Sequence, residues 1–195
     1  MRVVSERADQ SLIRVNRALA HFRRQTERLL AGAEFGVAPR QAIGAQSAAT
    51  TIYDSQDAIL RIVAIGEDFS IARLVERMDQ ILPQDPTVLK LWDAELARSG
   101  DAWEKRSELW KQYLAVDIGE FPGRDPLRGF IAARNAIAHG LGSLTRKQLQ
   151  KKQRIVGSLN AAGIEVHGEA IVVNASHVEE CARVVKSFIQ WLDSG

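Results

Sequence analysis

Gly163-Ile164-Glu165-Val166-His167-Gly168-Glu169-Ala170-Ile171-Val172-Val173 is the stretch of this chain in which apolar and polar residues alternate. Alternation at a period of two, folded about a central glycine, spells two short strands joined by a tight turn. In the segments before and after it the apolar residues return every three or four positions, the period of an amphipathic helix. That contrast sets the expected fold class: an all-α, α-rich helical bundle with one short C-terminal β-hairpin near 163–174.

Working outward, Ser176 with Glu179 reads as a capping box. It opens a last helix with Val178, Cys181, Val185, Phe188, Ile189 and Leu192 on one side. Upstream, a basic helix is expected from after Ser143 to about Ala162. Before it, Asp125-Pro126 is an N-cap with proline in the first turn, and the helix it launches ends at Gly140 and Gly142. Asp85-Pro86 gives the same signal to a helix ending before Gly100. Asp101 with Glu104 resembles a capping box ahead of a helix carrying Trp103, Trp110 and Leu114, and a loop follows from Gly119 to Gly123.

Nearer the N-terminus, Leu12, Val15, Leu19, Phe22, Thr26 and Leu29 make one core stripe, and Gly32 and Gly36 end that helix. Arg14, Arg17, His21, Arg24 and Arg28 repeat on the opposite face, where a solvent-facing role is expected. A second helix follows Pro39 with Ala42, Ala45, Ala49, Ile52, Ile59 and Val63 inward, and Gly66 closes it. A third runs from Ser70 to Leu82 on Ile71, Leu74, Val75 and Met78, stopping at Pro83.

The bulk numbers narrow the classes. With 195 residues and no repeat, low-complexity tract or dividing linker, a single domain over 1–195 is expected. Apolar residues at 46% and charged residues at 26% exclude disorder as the main state. A net charge of +2 leaves any nucleic-acid contact to local clusters rather than a global field. The single Cys181 excludes an internal disulfide and fits a buried thiol in a reducing, cytoplasmic setting. No apolar run approaches the roughly 18–20 residues that span a bilayer, and no hydrophobic signal core follows Met1. Neither membrane insertion nor secretion is expected.

His21, His139, His167, His177 and Cys181 lack metal-ligand spacing, so no metal is expected. Gly140-Leu141-Gly142 lacks the third glycine and the preceding strand of a dinucleotide fingerprint, and there is no phosphate-cradling Walker loop. No cofactor is expected. Trp92, Trp103, Trp110 and Trp191 read as core or interface anchors.

Chemistry concentrates in Arg134-Asn135-Ala136-Ile137-Ala138-His139-Gly140, where a strong cation, an amide and an imidazole gather near a helix end. At about 100° per residue, Asn135 and His139 fall within about 40° of each other, whereas Arg134 and His139 lie about 140° apart. A regular helix therefore does not aim the guanidinium and the imidazole at one point. Either the last turn unwinds at Gly140, or a second copy of the helix packs antiparallel across a two-fold axis. In the second case one chain's Arg134 approaches the other's His139. The residue types suit RNA: arginine grips phosphate oxygens and stabilises transition-state charge. Imidazole exchanges protons near neutrality, and the 2′-hydroxyl supplies an internal nucleophile. The same residues also suit a structural role, with His139 at the negative helix end and Arg134 in an ion pair.

The run Arg134-Asn135-x-x-x-His139, set in a multi-helix layout, resembles the HEPN superfamily. Its ribonuclease members carry an Arg-x4-6-His motif, most often with a polar residue directly after the arginine. The resemblance implies a HEPN-like helical domain, with 143–195 as an elaboration on it. It further implies a metal-independent endoribonuclease that cuts RNA to 2′,3′-cyclic phosphate and 5′-hydroxyl ends in the cleft of a homodimer. Arg134 would bind the scissile phosphate, His139 would be general acid or base, and Asn135 would orient. A role as a toxin or in antiviral defence follows from the same resemblance, with an antitoxin protein as a further partner. Some HEPN toxins carry a tyrosine two residues after the histidine, which a partner antitoxin modifies; Leu141 stands there, so that control is not expected. Some members also place an acid on an earlier helix, for which Asp54, Asp57 and Glu120 are the candidates.

Directly after the motif, Arg146, Lys147, Lys151, Lys152 and Arg154 run without an acid among them. On one helix Lys147, Lys151 and Arg154 would share a face, a track for an RNA backbone or simply a solvated surface. Two other classes remain open. A non-catalytic helical module would bind a protein partner or a nucleotide in the same cleft, and a helical DNA-binding regulator would use the basic helix.

Overall fold

Apolar periodicity organises the chain into stacked helices. The structure, a computed structural model, describes residues 4–34, 40–99 and 102–195, with side chains at 4–28, 52–98 and 102–195. Helices α1 (Glu6–Glu34), α2 (Arg40–Ile81), α3 (Pro86–Ser99) and α4 (Trp103–Leu114) precede a 3-10 turn at Ile118–Glu120. Then come α5 (Arg124–Gly140), α6 (Arg146–Leu149), α7 (Lys152–Ala161), strands β1 (Glu165–His167) and β2 (Ala170–Val172), and α8 (Ala175–Ser194). The fold is all-α with one antiparallel hairpin, in which Glu165 pairs with Val172 and His167 with Ala170. Gly168, at φ 67°, takes the first position of the two-residue turn.

Helices α1, α2 and α8 pack against one another, and α5 lies between α2 and α7. Val15, Leu19 and Phe22 of α1, Ile59, Ile62 and Phe69 of α2, Phe130 of α5 and Phe188 and Ile189 of α8 fill the core. Phe188 sits 5.5 Å from the rings of both Trp103 and Phe121, in tilted and edge-on contacts. Trp110 is fully buried, and its indole N–H donates to the Ser70 carbonyl at 3.1 Å. Cys181 is buried, and desolvation pushes its thiol far up, so it stays protonated and inert.

Several expectations change, among them the Asp125 cap: α5 starts at Arg124 with Gly123 as its N-cap, and Asp125 lies in the first turn. Gly66 closes nothing: α2 runs unbroken from Arg40 to Ile81, merging the second and third expected helices. A Cβ at 66 would lie 3.1 Å from Val185 Cγ1, so the glycine lets α8 close onto α2. Packing there outweighs a propensity cost of about 1 kcal/mol. Likewise α1 continues through Gly32 to Glu34. The basic helix is broken into α6 and α7 at Lys151, whose backbone leaves the helical region. Gln148 explains the break: it forms a capping box with Thr145 and donates to the Ala132 carbonyl at 2.9 Å, pinning α6 to α5. Beyond it α7 turns to pack on Gly129, where a Cβ would stand 2.3 Å from the Ser158 carbonyl.

The last helix is capped by Asn174, not Ser176. Its Oδ1 accepts from the amides of Ser176 at 3.0 Å and His177 at 3.3 Å, and His177 Nδ1 accepts from the Asn174 amide. That fixes the proton on His177 Nε2, which donates to the Gly163 carbonyl at 2.9 Å and ties the hairpin to α8. Glu179 instead pairs with Arg23 of α1 at 2.6 Å. Ile52, expected inward, is exposed. Asp85 caps α3 as the sequence indicates, accepting from the amides of Thr87 and Val88. Gly36, Pro39, Gly100 and Asp101 lie outside the described residues, as do the side chains of Leu29, Ala42, Ala45 and Ala49. No described helix is long and apolar enough to cross a membrane.

Candidate active site

Helix α5 owes its place to its apolar stripe. Leu127, Phe130, Ile131, Ala133, Ala136 and Ile137 are buried. Its helical hydrogen bonding continues through His139 and Gly140, and the backbone first turns left-handed at Leu141, at φ 51°. Gly142 follows at φ 87°, and its amide returns to the Ala136 carbonyl at 3.2 Å. The hairpin braces this end: Leu144 N donates to Glu169 O and Ile171 N to Gly142 O. The last turn is therefore not unwound, and Arg134 and His139 keep their separation of about 140° around the axis. Within one chain the guanidinium and the imidazole face different ways.

Arg134 is turned toward α2. Its Nη1 donates to Asn135 Oδ1 at 3.0 Å, and Nη2 lies 3.7 Å from Glu67 Oε2. The arginine side chain is 31% exposed and the glutamate 17%. Asn135 thus orients the arginine directly. Arg134 opens onto a cleft of about 830 Å³ walled by α1, α2, α3 and α4, with Arg7, Arg14, Glu67, Asp68, Asp93 and Arg106 on its lining. Arg106 is buried, donating to the Glu67 carbonyl at 3.1 Å and to Ser70 Oγ at 3.3 Å, and it lies over the Trp103 ring. His139 does not line this cleft. It stands exposed in the last turn of α5, beside a Leu141 that is 94% exposed.

The acid that meets Arg134 is Glu67, none of the three sequence candidates. Asp57 pairs with Arg61 at 2.8 Å, Asp54 is half-buried on α2, and Glu120 lies on the 3-10 turn. Glu67 is invisible in a chain divided at Gly66, because it then falls in a loop. On a continuous helix it stands four residues after buried Val63, three before buried Ser70 and seven before buried Leu74. A carboxylate on a core stripe is the signal that would have found it.

Arg146, Lys147, Lys151, Lys152 and Arg154 are all exposed. The break at Lys151 removes the continuous helical stripe of Lys147, Lys151 and Arg154, and Lys152 Nζ is engaged by the Gly168 carbonyl at 3.2 Å. Among the described residues no three His, Cys, Asp or Glu side chains gather as a metal site. Compared with known protein families, curated proteins and solved structures, the chain matches none of them.

Proposed function

We propose that this protein is a metal-independent endoribonuclease of the HEPN type whose active sites are shared between two copies of the chain. The observation that carries the reading is the split across a regular helix. Arg134 is pre-set by Asn135 and Glu67 at the mouth of a large cleft, while His139 stands exposed five residues on. An antiparallel second copy of α5 resolves the split by symmetry, each arginine meeting the other chain's histidine.

In that cleft the RNA 2′-hydroxyl oxygen attacks the adjacent phosphorus as its proton leaves to a base. The P–O5′ bond breaks, and the departing 5′ oxygen takes up a proton. A 2′,3′-cyclic phosphate and a 5′-hydroxyl result. His139 serves as base or acid, and Arg134 stabilises the charge on the phosphorane oxygens. Asn135 and Glu67 act through Arg134 by holding its fork in place. The biological role implied by the resemblance is that of a toxin or an antiviral-defence ribonuclease in the cytoplasm, with an antitoxin as the partner of the toxin form.

Purified protein is expected to cut RNA in EDTA, with Arg134→Ala and His139→Ala each lowering the rate by about 10²–10⁴. Absence of cutting, or cutting indifferent to both substitutions, refutes the assignment. The Arg134–Glu67 ion pair also suits a binding-only module; there Arg134→Ala lowers the melting temperature and no RNA is cleaved at all.

A further inference from the structure

Several arginines of this protein are neutralised by a carboxylate: Arg7 by Glu76, Arg23 by Glu179, Arg73 by Asp193, Arg98 by Glu95 and Arg183 by Glu180. The exposed face of α1 differs. Arg17, His21 and Arg24 form no ion pair among the described residues, and Arg14 lies one turn before Arg17 on the same face. Across from them α2 contributes Arg61. Together Arg14, Arg17, His21 and Arg61 line a groove of about 450 Å³ between the two helices, on a floor of Ala18, Ala64 and Ile65.

Two features make this more than a solvated surface. The groove is concave, with cations on both walls and apolar side chains beneath, which suits a chain carrying charge along one edge and flat apolar groups along the other. It also joins the candidate active site, because Arg14 lines both this groove and the cleft onto which Arg134 opens. The two acids at its edges, Asp68 on Arg14 at 3.2 Å and Asp57 on Arg61 at 2.8 Å, belong to exposed pairs. Such pairs are weak enough for a phosphate to displace the carboxylate.

We propose that the groove between α1 and α2 is the track along which single-stranded RNA leaves the cleft at Arg134. Arg14 and Arg61 take one backbone phosphate, Arg17 with His21 takes the next, and Arg24 takes a third. Bases and riboses lie against Ala18, Ala64 and Ile65. From Arg14 to Arg24 the helix rises about 15 Å, enough for more than one phosphate. The track rests on RNA being the ligand at Arg134, and it reassigns the main backbone contact from 146–154 to α1.

The test is equilibrium binding of a labelled twelve-nucleotide RNA, 2′-O-methylated throughout so that it carries no nucleophile, measured as a function of salt. The variants are Arg17→Ala/Arg24→Ala and Lys147→Ala/Lys151→Ala, with cleavage of unmodified RNA followed in parallel. The α1 variant is expected to bind about tenfold more weakly. Its slope of log affinity against log salt should be shallower by about 1.4, the loss of two single-strand phosphate contacts. A trinucleotide, too short to leave the cleft, should bind both variants like wild type. An α1 variant that binds the long RNA like wild type with an unchanged slope overturns the track, even if wild type cuts RNA. A wild type that cuts no RNA but shows the α1-dependent slope keeps the track and removes the catalytic reading. Polyglutamate that competes as well as RNA assigns the groove to an acidic protein and overturns the proposal. All four variant positions are exposed, and circular-dichroism melts matching wild type certify that the variants are folded.

Discussion

Arg134 illustrates how a single side chain is prepared by its neighbours. Its guanidinium spans Asn135 on its own helix and Glu67 on α2, so its fork is held before any ligand arrives. Glu67→Gln keeps the shape and removes the charge. Cleavage under single-turnover conditions is expected to fall between about tenfold and a hundredfold, the usual cost of a slightly misplaced catalytic group. A Glu67→Gln variant that cuts at the wild-type rate would show that the glutamate positions nothing. At this scale the sequence is half legible. The motif residues are readable because Arg, Asn and His carry chemistry at a helix end, whereas Glu67 becomes visible only once α2 is known to be one helix. Leu141 shows a similar offset: glycines 140 and 142 mark the helix end correctly, yet the first residue with a positive φ is the leucine between them.

Elements are legible where their signals are local and lost where packing overrides them. The hairpin at 165–172 and the Asp85 cap follow from turn and capping chemistry written in a few adjacent residues. Gly66 is the opposite case. A glycine followed by the acids Glu67 and Asp68 reads as a helix end, but its purpose is the close approach of α8, more than a hundred positions away in the chain. The break at Lys151 is non-local too, imposed by Gln148 reaching the Ala132 carbonyl of α5. Gly66→Val places a branched side chain where a Cβ already meets Val185 at 3.1 Å. The expected cost is about 1–3 kcal/mol of overpacking, lowering the melting temperature by about 2–4 °C per kcal/mol. Gly66→Ala gains helix propensity and should lose much less. Calorimetric melts separate the two, and equal stability of both variants would contradict a tight α2–α8 contact.

At the scale of the whole molecule, fold class was available from periodicity alone, because helical stripes and one alternating segment do not compete for the same residues. What periodicity cannot supply is which helices touch. The cleft at Arg134 exists because α1, α2, α3 and α4 meet there, and the α1 arginines acquire a groove only because α2 runs alongside. The regularity of α5 through Gly140 leaves the two motif side chains apart within one chain, so the proposed ribonuclease site requires a second copy to bring them together.

Complementation tests that requirement most directly. Arg134→Ala and His139→Ala chains are co-expressed and RNA cleavage in EDTA is compared with each variant alone. With random pairing, half of the dimers are mixed, and each mixed dimer holds one intact Arg134–His139 pair out of two. About one quarter of wild-type activity is therefore expected from two nearly inactive variants. A mixture no more active than its components would contradict a site shared between chains.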